Sequence, residues 1–483
     1  MSLLALDLGT TGIRAQLFDR QGQPGFSAYQ ELPQIYPQPG WVEHDPEIIW
    51  QLTQQVIAQV VAHSPEIIQA IGITNQRETC LLWDSRTGIP LGNAIVWQDR
   101  RTSDLCTQLR REGWELPIQQ RTGLVIDAYF SGTKLAWMLK HYQADPQAIK
   151  AGTIDTWILW KLTEGQVHAT DTSNASRTML FHLQTLNWDP TLLKLLEIPS
   201  EILPTVKPSV GFFGETSICG YPVPITGVLG DQQAALFAHG CDRPGLVKCT
   251  YGTGSFLVAH TGKAPVLSKH RLVGTVAWSI GNQTGYALEG SLFTTGASVQ
   301  WLRDGLGIIA SAEETEALAT SISDSGGVAF VPALSGLGAP HWDMEARGLL
   351  IGLTRGSGRA QIVRAVLEAI AFQVREVTDA LALDTDVPIA KLKVDGGAVR
   401  NNFLMQWQAD VLGVPVERPK NIDTTVQGAA FAAGLGAGLF QDYSALVNSR
   451  PIDRIFEPGD NQLAAQAGFS VWQRAVERAK HWA

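Results

Sequence analysis

The first residues able to do chemistry lie near the amino terminus, in a turn between two apolar runs. The first run ends at Asp7, the turn passes through Gly9 and Gly12, and the second run ends at Phe18. Two apolar runs joined by a glycine-containing turn predict a β-hairpin. Glycine tolerates a positive φ and lets backbone N–H groups approach an anion closely, so this hairpin could hold a phosphate.

Side chains of the same turn could serve the same purpose. Thr10, Thr11 and Arg14 can donate hydrogen bonds to phosphate oxygens, while Asp7 can position a hydrated Mg²⁺. An ordinary polar turn would contain similar residues, and the spacing of a P-loop is missing. The turn alone is compatible with either interpretation.

Two further turns of this kind occur in the second half of the chain. One follows the apolar run 246–251 and contains Thr253, and the other follows the run 391–394 and contains Gly397 and Asn401. Together the three turns favour a nucleotide held between two lobes, with structural turns as the alternative. The likeness of the second hairpin to the first also suggests an internal duplication.

One carboxylate stands where a phosphoryl acceptor could be activated. Asp231 follows an apolar run and a glycine turn, at the predicted start of a helix. A carboxylate there could accept the proton of a substrate hydroxyl during phosphoryl transfer. The commoner role of such an Asp is to cap the helix by accepting backbone N–H bonds.

Another group of residues could bind a small polyol. Arg77 and Glu78 stand side by side at the end of a predicted strand, where a donor and an acceptor suit hydroxyl groups. Trp97, Tyr129 and Phe256 could place aromatic faces against a carbon chain. The alternatives are a solvent-exposed ion pair and ordinary core aromatics.

The elements that must position these residues occur in both halves of the chain. The predicted strands are 67–74, 80–83 and 94–97. Two helices are predicted to begin at Pro46 and within 98–102, and two more are predicted to cover 296–306 and 360–381. Strands and helices mixed in this way predict an α/β protein with two lobes. The best candidate boundary, at 241–245, divides the chain into domains 1–242 and 243–483.

Composition narrows the class of protein. The length of 483 residues exceeds one comfortable core and predicts two domains. A hydrophobic content of 45% with 17% charged residues is typical of soluble globular proteins, and a formal charge of −9 argues against nucleic-acid binding.

Five scattered cysteines without a CxxC pair favour a reducing cytoplasm. The first apolar run lacks the layout of a signal peptide, and no membrane span is expected.

Long motifs throughout the chain are similar to those of the FGGY carbohydrate kinases, in particular the members that phosphorylate glycerol. They are far more specific than a single glycine pattern. The matching segments are 7–14, 36–46, 72–79, 97–102, 123–127, 130–134, 174–180, 230–236, 251–254, 296–304, 336–340 and 394–398.

This resemblance implies an α/β fold of two actin-like, ribonuclease H-like lobes, with mixed sheets, flanking helices and the active site in the cleft between the lobes. It implies ATP-dependent phosphorylation of glycerol to sn-glycerol 3-phosphate, with Mg²⁺. The first lobe would carry the glycerol pocket, the first phosphate hairpin and the catalytic Asp. The second lobe would carry the second phosphate hairpin and the adenosine site.

Matching positions imply the roles of individual residues. Asp231 would be the catalytic base, and Asp7 would act on Mg²⁺ through water. Glycerol would contact Arg77, Glu78, Trp97, Tyr129, Asp231, Gln232 and Phe256. The nucleotide would contact Thr10, Thr11, Gly12, Arg14, Thr253, Gly296, Gln300, Gly397 and Asn401.

The chain also departs from its relatives. Segment 217–224 is shorter than the loop of members inhibited by fructose 1,6-bisphosphate and lacks Arg, so we do not expect that control. Gly12 replaces a Ser that is frequent in relatives, which removes one phosphate contact. Homo-oligomers are common in the family, and no feature of this sequence fixes one. The expected partners are glycerol and ATP or ADP.

Two other functions are compatible with parts of the pattern. A related FGGY kinase would phosphorylate another polyol or sugar, such as xylulose, gluconate or ribulose. An actin-like ATPase that serves as a binding module would hydrolyse ATP without an acceptor. The joint presence of Arg77, Glu78 and Asp231 in matching motifs argues against the second of these.

Overall fold

The computed structural model describes residues 2–142, 145, 147–448 and 450–483. Strands occur in both halves of the chain and, with the helices below, confirm the predicted α/β class. The strands are β1 (Ser2–Leu8), β2 (Gly12–Phe18), β3 (Pro24–Glu31), β4 (Glu43–His44), β5 (Ile68–Asn75), β6 (Cys80–Asp84), β7 (Ala94–Ile95), β8 (Ile149–Thr153), β9 (Ala169–Asp171), β10 (Phe181–His182), β11 (Asn187–Trp188), β12 (Thr205–Lys207), β13 (Val210–Thr216), β14 (Val223–Gly230), β15 (Leu246–Tyr251), β16 (Ser255–Gly262), β17 (Val273–Ile280), β18 (Gln283–Leu292), β19 (Ala329–Val331), β20 (Leu349–Ile351), β21 (Lys391–Asp395), β22 (Val416–Pro419) and β23 (Ile452–Phe456).

The helices flank these strands. They are α1 (Pro46–Ala62), α2 (Ser103–Arg111), α3 (Glu115–Thr122), α4 (Ser131–His141), α5 (Ile154–Leu162), α6 (Thr172–Ala175), α7 (Pro190–Leu195), α8 (Asp231–Ala238), α9 (Gly296–Gln300), α10 (Glu314–Thr320), α11 (Arg359–Thr385), α12 (Asn402–Leu412), α13 (Thr424–Gly436), α14 (Tyr443–Asn448) and α15 (Gln462–Ala479). Helix α1 begins at Pro46 as predicted, because the side chain of Asp45 accepts hydrogen bonds from the backbone N–H groups of Glu47 and Ile48.

One sheet of 13 strands runs through the molecule. Its strand order is β23–β22–β21–β15–β16–β18–β17–β13–β14–β5–β1–β2–β3. The two halves of the sheet meet between β13 and β17 at one paired position, where Val210 lies opposite Ile280. A smaller sheet of four strands, β4–β7–β6–β8, lies beside the first half.

The two halves of the large sheet share one topology. In the first half, β1 and β2 form an antiparallel hairpin, β3 lies beside β2, and β5 and β14 continue the sheet in parallel with β1. In the second half, β15 and β16 form the hairpin, β18 lies beside β16, and β21 and β22 run parallel to β15. This repeated order agrees with the duplication suggested by the two similar hairpins.

Parallel pairing places three predicted site residues at the same edge of the sheet. Leu8 pairs with Asn75, which in turn pairs with Gly230. Asp7, Arg77 and Asp231 each stand within two residues of these paired positions. Ligands of open α/β sheets bind at the carboxyl ends of strands, so this edge is where a site is expected.

Helix α13 packs on the strands of the first half, although it lies far along the chain. Its buried Ala429 and Ala433 belong to the same apolar cluster as Leu3 and Ala70. The approach is close, because a Cβ atom at Gly72 would lie 2.0 Å from the carbonyl oxygen of Ala429. The second half of the chain therefore supplies one of the helices that cover the first half of the sheet.

Two local predictions were wrong. The strand predicted at 94–97 ends at Ile95, and the helix predicted from 98 begins at Ser103, because Asp99 organises a turn between them. The carboxylate of Asp99 accepts hydrogen bonds from the backbone N–H groups of Val42 and Arg101, at 2.7 and 2.8 Å. The helix predicted over 296–306 is confirmed as helical over most of its length, as α9 and then as a π-helix at Trp301–Gly305.

Candidate active site

Asp231 is the first residue of helix α8, directly after strand β14. Its Oδ1 accepts a hydrogen bond from the backbone N–H of Gln232 at 2.7 Å and lies 2.9 Å from Nε of Arg77. The side chain keeps 28% of its surface exposed, so a ligand can reach it. The N-cap of α8 is Gly230, so Asp231 does not have the capping role that the sequence left open, and its side chain instead faces the charge of Arg77.

Arg77 and Glu78 are both buried, which excludes the alternative of a solvent-exposed ion pair. Arg77 pairs with Asp231, and Glu78 accepts a hydrogen bond from Nε of Arg177 at 2.6 Å. Glu78 has a φ of +62°, a conformation that is uncommon outside glycine and clusters at functional sites. Arg77 and Glu78 are therefore each fixed by a different charged partner, Asp231 for Arg77 and Arg177 for Glu78.

A buried carboxylate that the sequence analysis missed joins these groups. Glu289 lies on β18 and accepts hydrogen bonds from Nη2 of Arg77 at 3.1 Å and from Nη2 of Arg177 at 3.0 Å. Burial alone would raise the pKa of Glu289, but the charges of Arg177 and Arg77 outweigh it and lower the pKa to about 2. The only signal for it in the sequence is a single carboxylate within an apolar strand.

Three aromatic rings meet beside these charges. The ring of Trp97 contacts Tyr129 and Phe256 edge-on, with centroid separations of 5.5 and 6.4 Å. Nε1 of Trp97 donates a hydrogen bond to Oγ1 of Thr10 at 2.9 Å. The three rings therefore lie together as predicted, and the hydrogen bond from Trp97 links them to the first glycine turn.

Gln232 is fixed by a lysine from the second half of the chain. Lys248 on β15 donates hydrogen bonds to Oε1 of Gln232 and, at 2.8 Å, to Oγ1 of Thr250. Burial lowers the pKa of Lys248, with the charges of Asp395 and other nearby groups acting in the opposite direction. This lysine was also missed, because its partner lies in another lobe of the predicted fold.

The first glycine turn, which was predicted to hold phosphates, is compact and partly covered. The backbone N–H of Gly9 donates to the carbonyl of Gly12 at 3.0 Å, and the hydroxyl of Tyr29 donates to the carbonyl of Thr11 at 3.2 Å. A Cβ atom at Gly12 would lie 2.2 Å from the Tyr29 hydroxyl. The space that a serine side chain would need at this position is therefore occupied by Tyr29.

Arg14 and Asp7, the two charged residues of the first hairpin, have different neighbours. Arg14 forms an ion pair with Asp423 at 2.8 Å, just before helix α13. Burial and the charge of Asp231 raise the pKa of Asp7 to about 7. Within the described residues, no group of three or more acidic, His or Cys side chains could hold a metal ion. One partly exposed carboxylate fits Mg²⁺, which retains several waters and is held mainly by substrate phosphates.

The second turn lies against the start of helix α9. The backbone N–H of Gly296 donates to the carbonyl of Gly252 at 3.0 Å, and the carbonyl of Thr253 accepts from Ala297 at 3.1 Å. A Cβ atom at Gly296 would lie 2.6 Å from the Gly252 oxygen, so this approach requires glycine. Gln300 is exposed at the end of the same helix.

The third turn lies beside the second. Thr250 pairs with Asp395, and Gly396 has a φ of +89° where a Cβ atom would meet the backbone of Tyr251 at 2.5 Å. Gly397 faces open space, since a Cβ atom there would meet nothing within 4 Å. Asn401 caps helix α12 by accepting from the backbone N–H of Leu404 at 2.9 Å. Two of the three predicted nucleotide turns therefore share one surface.

A repeated ribonuclease H-like sheet with glycine turns beside a cluster of buried polar side chains is typical of small-molecule kinases with an actin-like fold. The chain matches the N-terminal domain of the FGGY family of carbohydrate kinases over residues 2–238 and the C-terminal domain over residues 247–437. It belongs to the FGGY family of carbohydrate kinases.

Individual relatives agree with this family. The chain is 73% identical to a glycerol kinase of Gloeobacter violaceus, over the whole chain and 97% of the relative, and 60% identical to a glycerol kinase of Acaryochloris marina over 99% of that relative. Among solved structures, it resembles Plasmodium falciparum glycerol kinase with ADP, with a TM-score of 0.92 and 35% identity over 99% of this chain and 98% of that one.

Two general features of the chain complete the description. All five cysteines are free and buried. Among the described residues, the helices that are long enough to cross a membrane are not apolar enough to do so.

Proposed function

We propose that this chain is a glycerol kinase, an ATP:glycerol 3-phosphotransferase that converts glycerol and Mg-ATP into sn-glycerol 3-phosphate and ADP. The observation that carries the proposal is the cluster in which buried Arg77 and Glu78 lie beside the partly exposed carboxylate of Asp231. The glycerol kinases that cover this chain almost completely at 60–73% identity support it.

The acceptor pocket is suited to a small neutral polyol. A guanidinium and a carboxylate offer donors and acceptors to vicinal hydroxyl groups, and fixed placement of both ends orients the third hydroxyl. Trp97, Tyr129 and Phe256 provide apolar faces for the carbon chain, while Gln232 adds an amide that Lys248 holds in place. This combination favours glycerol over a larger or charged acceptor.

Asp231 is assigned as the general base. As the terminal oxygen of glycerol forms its bond to the γ-phosphorus, the hydroxyl proton passes to the free carboxylate oxygen of Asp231. The bond between the γ-phosphorus and the bridging oxygen breaks, and its electron pair leaves with ADP. Arg77 orients the carboxylate through the contact of 2.9 Å with Oδ1.

The donor side is assigned to the three glycine turns. Thr10, Thr11, Gly12 and Arg14 would contact phosphates from the first lobe, and Thr253 from the second. Gly296, Gln300, Gly397 and Asn401 would contact the nucleotide. Asp7 would hold Mg²⁺ through water, and the ion would supply charge neutralisation for the phosphates when bound.

Domain limits and location complete the proposal. We assign residues 1–242 to the first lobe and residues 243–483 to the second. We also place the protein in the cytoplasm, because five unpaired cysteines suit a reducing compartment.

The proposal is tested by measuring ADP release with and without glycerol in the unchanged chain and in the variant Arg77→Ala. We expect ADP release to depend on glycerol, and the glycerol KM of Arg77→Ala to rise about tenfold or more because a buried donor is lost. The matched control is Arg86→Ala, which removes an exposed arginine and should leave the KM unchanged. ADP release that is independent of glycerol would contradict the proposal.

A further inference from the structure

A network of four buried charges surrounds the acceptor pocket. Glu289 bonds two guanidinium groups, those of Arg77 and Arg177, and Arg177 in turn bonds Glu78. Each of the four side chains is at most 2% exposed. Buried charges are costly unless each is paired and hydrogen-bonded, so the removal of one member leaves an uncompensated charge in the pocket.

The hydrogen bonds of Arg77 show what Glu289 does for it. Nε faces Asp231, Nη1 donates to Gln233 and Glu289, and Nη2 donates once to Glu289. A guanidinium has five N–H groups in a fixed plane, and these contacts use four of them. Within the described part of the chain, the second N–H of Nη2 is thus left for a ligand. Glu289 determines the direction in which it points.

The hydrogen bonds of Arg177 have a similar effect on Glu78. Nε of Arg177 donates to Oε1 of Glu78 at 2.6 Å, and the hydroxyl of Ser131 donates to the carbonyl of Glu78 at 2.9 Å. The backbone of Glu78 has a φ of +62°, which costs free energy unless its surroundings enforce it. Arg177 therefore holds a carboxylate that stands on a strained backbone.

Glu289 reaches this pocket from the second half of the chain. On the same strand, Ser291 pairs with Phe256, one of the three aromatic residues that lie together. The carbonyl of Leu292 lies so close to Gly254 that a Cβ atom there would approach it to 2.3 Å. One rigid strand thus connects the acceptor pocket to the turn that contains Thr253.

We propose that Glu289 and Arg177 are positioning residues for the acceptor, acting through Arg77 and Glu78 and fixing the pocket across the two halves of the molecule. Neither residue needs to touch glycerol. This inference rests on the proposed function, since the pocket must bind an acceptor for its orientation to matter.

The test compares acceptor and donor kinetics of Glu289→Gln, Glu289→Asp and Arg177→Lys with those of the unchanged chain. We expect kcat/KM for glycerol to fall about 10- to 100-fold in Glu289→Gln, because misplaced binding groups cost about this much. The KM for ATP should stay within about twofold. Glu289→Asp keeps the charge and should recover part of the loss.

The control separates positioning from stability. Glu368→Gln breaks another buried ion pair, between Arg364 and Glu368 at 2.8 Å on helix α11. It should lower the melting temperature without changing kcat/KM for glycerol. If Glu289→Gln does not fold, Arg177→Lys gives the same comparison, because it keeps the charge but loses the planar fork.

The outcomes distinguish this inference from the function on which it rests. If the unchanged chain phosphorylates glycerol and the Glu289 and Arg177 variants keep its kcat/KM within twofold, the positioning role is overturned and the function stands. If the unchanged chain prefers another acceptor, the function is wrong, and the same variants are compared on that acceptor. A parallel loss for ATP and acceptor would also overturn the role, since it indicates general structural damage.

Discussion

At the scale of the residue, the site combines buried charges, those of Arg77 and Glu78, with the partly exposed carboxylate of Asp231. Asp231 contacts the backbone at the start of α8 and the guanidinium of Arg77, yet more than a quarter of its side chain is exposed. The two contacts orient the carboxylate through Oδ1, and part of the side chain remains accessible to a ligand. This combination is what a general base for a hydroxyl group requires.

Replacing that carboxylate should separate chemistry from binding. In Asp231→Asn, we expect kcat to fall by about 10²–10⁴, the usual range for a lost general base, with the ATP affinity unchanged. The measurement is kcat from ADP release together with ATP binding by calorimetry. The matched control is Asp242→Asn, a carboxylate of similar exposure that is paired with Arg243 away from the site, and it should keep full turnover. A near-normal kcat in Asp231→Asn would remove this residue from the role of base.

A buried histidine away from the site provides a prediction for pH. Burial lowers the pKa of His260 to about 4, and its Nδ1 accepts a hydrogen bond from the backbone N–H of Gly262. Because the unfolded state binds this proton below about pH 6.5 and the folded state only near pH 4, His260 contributes stability that decreases as the pH falls through this window.

His260→Gln removes the titration. We expect the unchanged chain to lose about 2 kcal/mol of unfolding free energy relative to this variant between pH 7.5 and pH 5. Urea unfolding at a series of pH values measures this difference. A difference between the two proteins that is constant over this range would show that His260 does not titrate as stated.

Single residues could be predicted at the site only where they stand in local motifs. Arg77, Glu78 and Asp231 follow strands in recognisable segments, and the structure brings them together. Glu289 could not be found in this way, because its partners Arg77 and Arg177 lie more than 100 residues away in the chain. Lys248 was missed because a lone charge in an apolar strand has no local pattern. The spacing of apolar residues predicts helices and strands, but it does not predict which distant residues the tertiary fold brings together.

At the scale of the element, the packing of helix α13 against helix α8 supports the position of Asp231, the proposed base. A Cβ atom at Gly428 would lie 1.9 Å from the carbonyl oxygen of Ala234, so the two backbones are in direct contact. Helix α8 begins with Asp231. A change in the spacing of these helices would therefore shift Asp231.

Gly428→Ala should push the two helices apart. We expect a loss of about 1–3 kcal/mol of unfolding free energy, because a backbone atom cannot move aside as a side chain can. Gly468→Ala is the control on helix α15, where the nearest atom belongs to the ring of Phe372 at 3.0 Å. Its effect should stay within about 1 kcal/mol. Equal melting temperatures for the unchanged chain and Gly428→Ala would disprove the close-contact argument.

The elements themselves were largely predictable because their signals are local. The hairpins β1–β2 and β15–β16 were expected from apolar runs and glycine turns, and helix α11 from its apolar spacing. The turn around Asp99 was missed, because it depends on a hydrogen bond from Val42 on a distant segment. The placement of α13 on the first half was not predictable from its own composition.

At the scale of the whole molecule, the proposed acceptor site contains residues from both halves of the chain. Arg77, Arg177 and Asp231 come from the first half, and Glu289 and Phe256 come from the second. The two halves repeat one topology, but the pocket is formed only where they meet. Neither half alone contains all the groups that would recognise a polyol.

The most direct test of this account is the ratio of kcat/KM values across a panel of acceptors, with sn-glycerol 3-phosphate identified as the product. Glycerol, xylulose, gluconate and ribulose should be compared under the same Mg-ATP conditions. The account predicts that glycerol is preferred by at least about 100-fold, because the pocket pairs with hydroxyl groups and leaves unpaired buried charges with poorly fitting acceptors. A preference for any of the other three acceptors would contradict the proposal that this chain is a glycerol kinase.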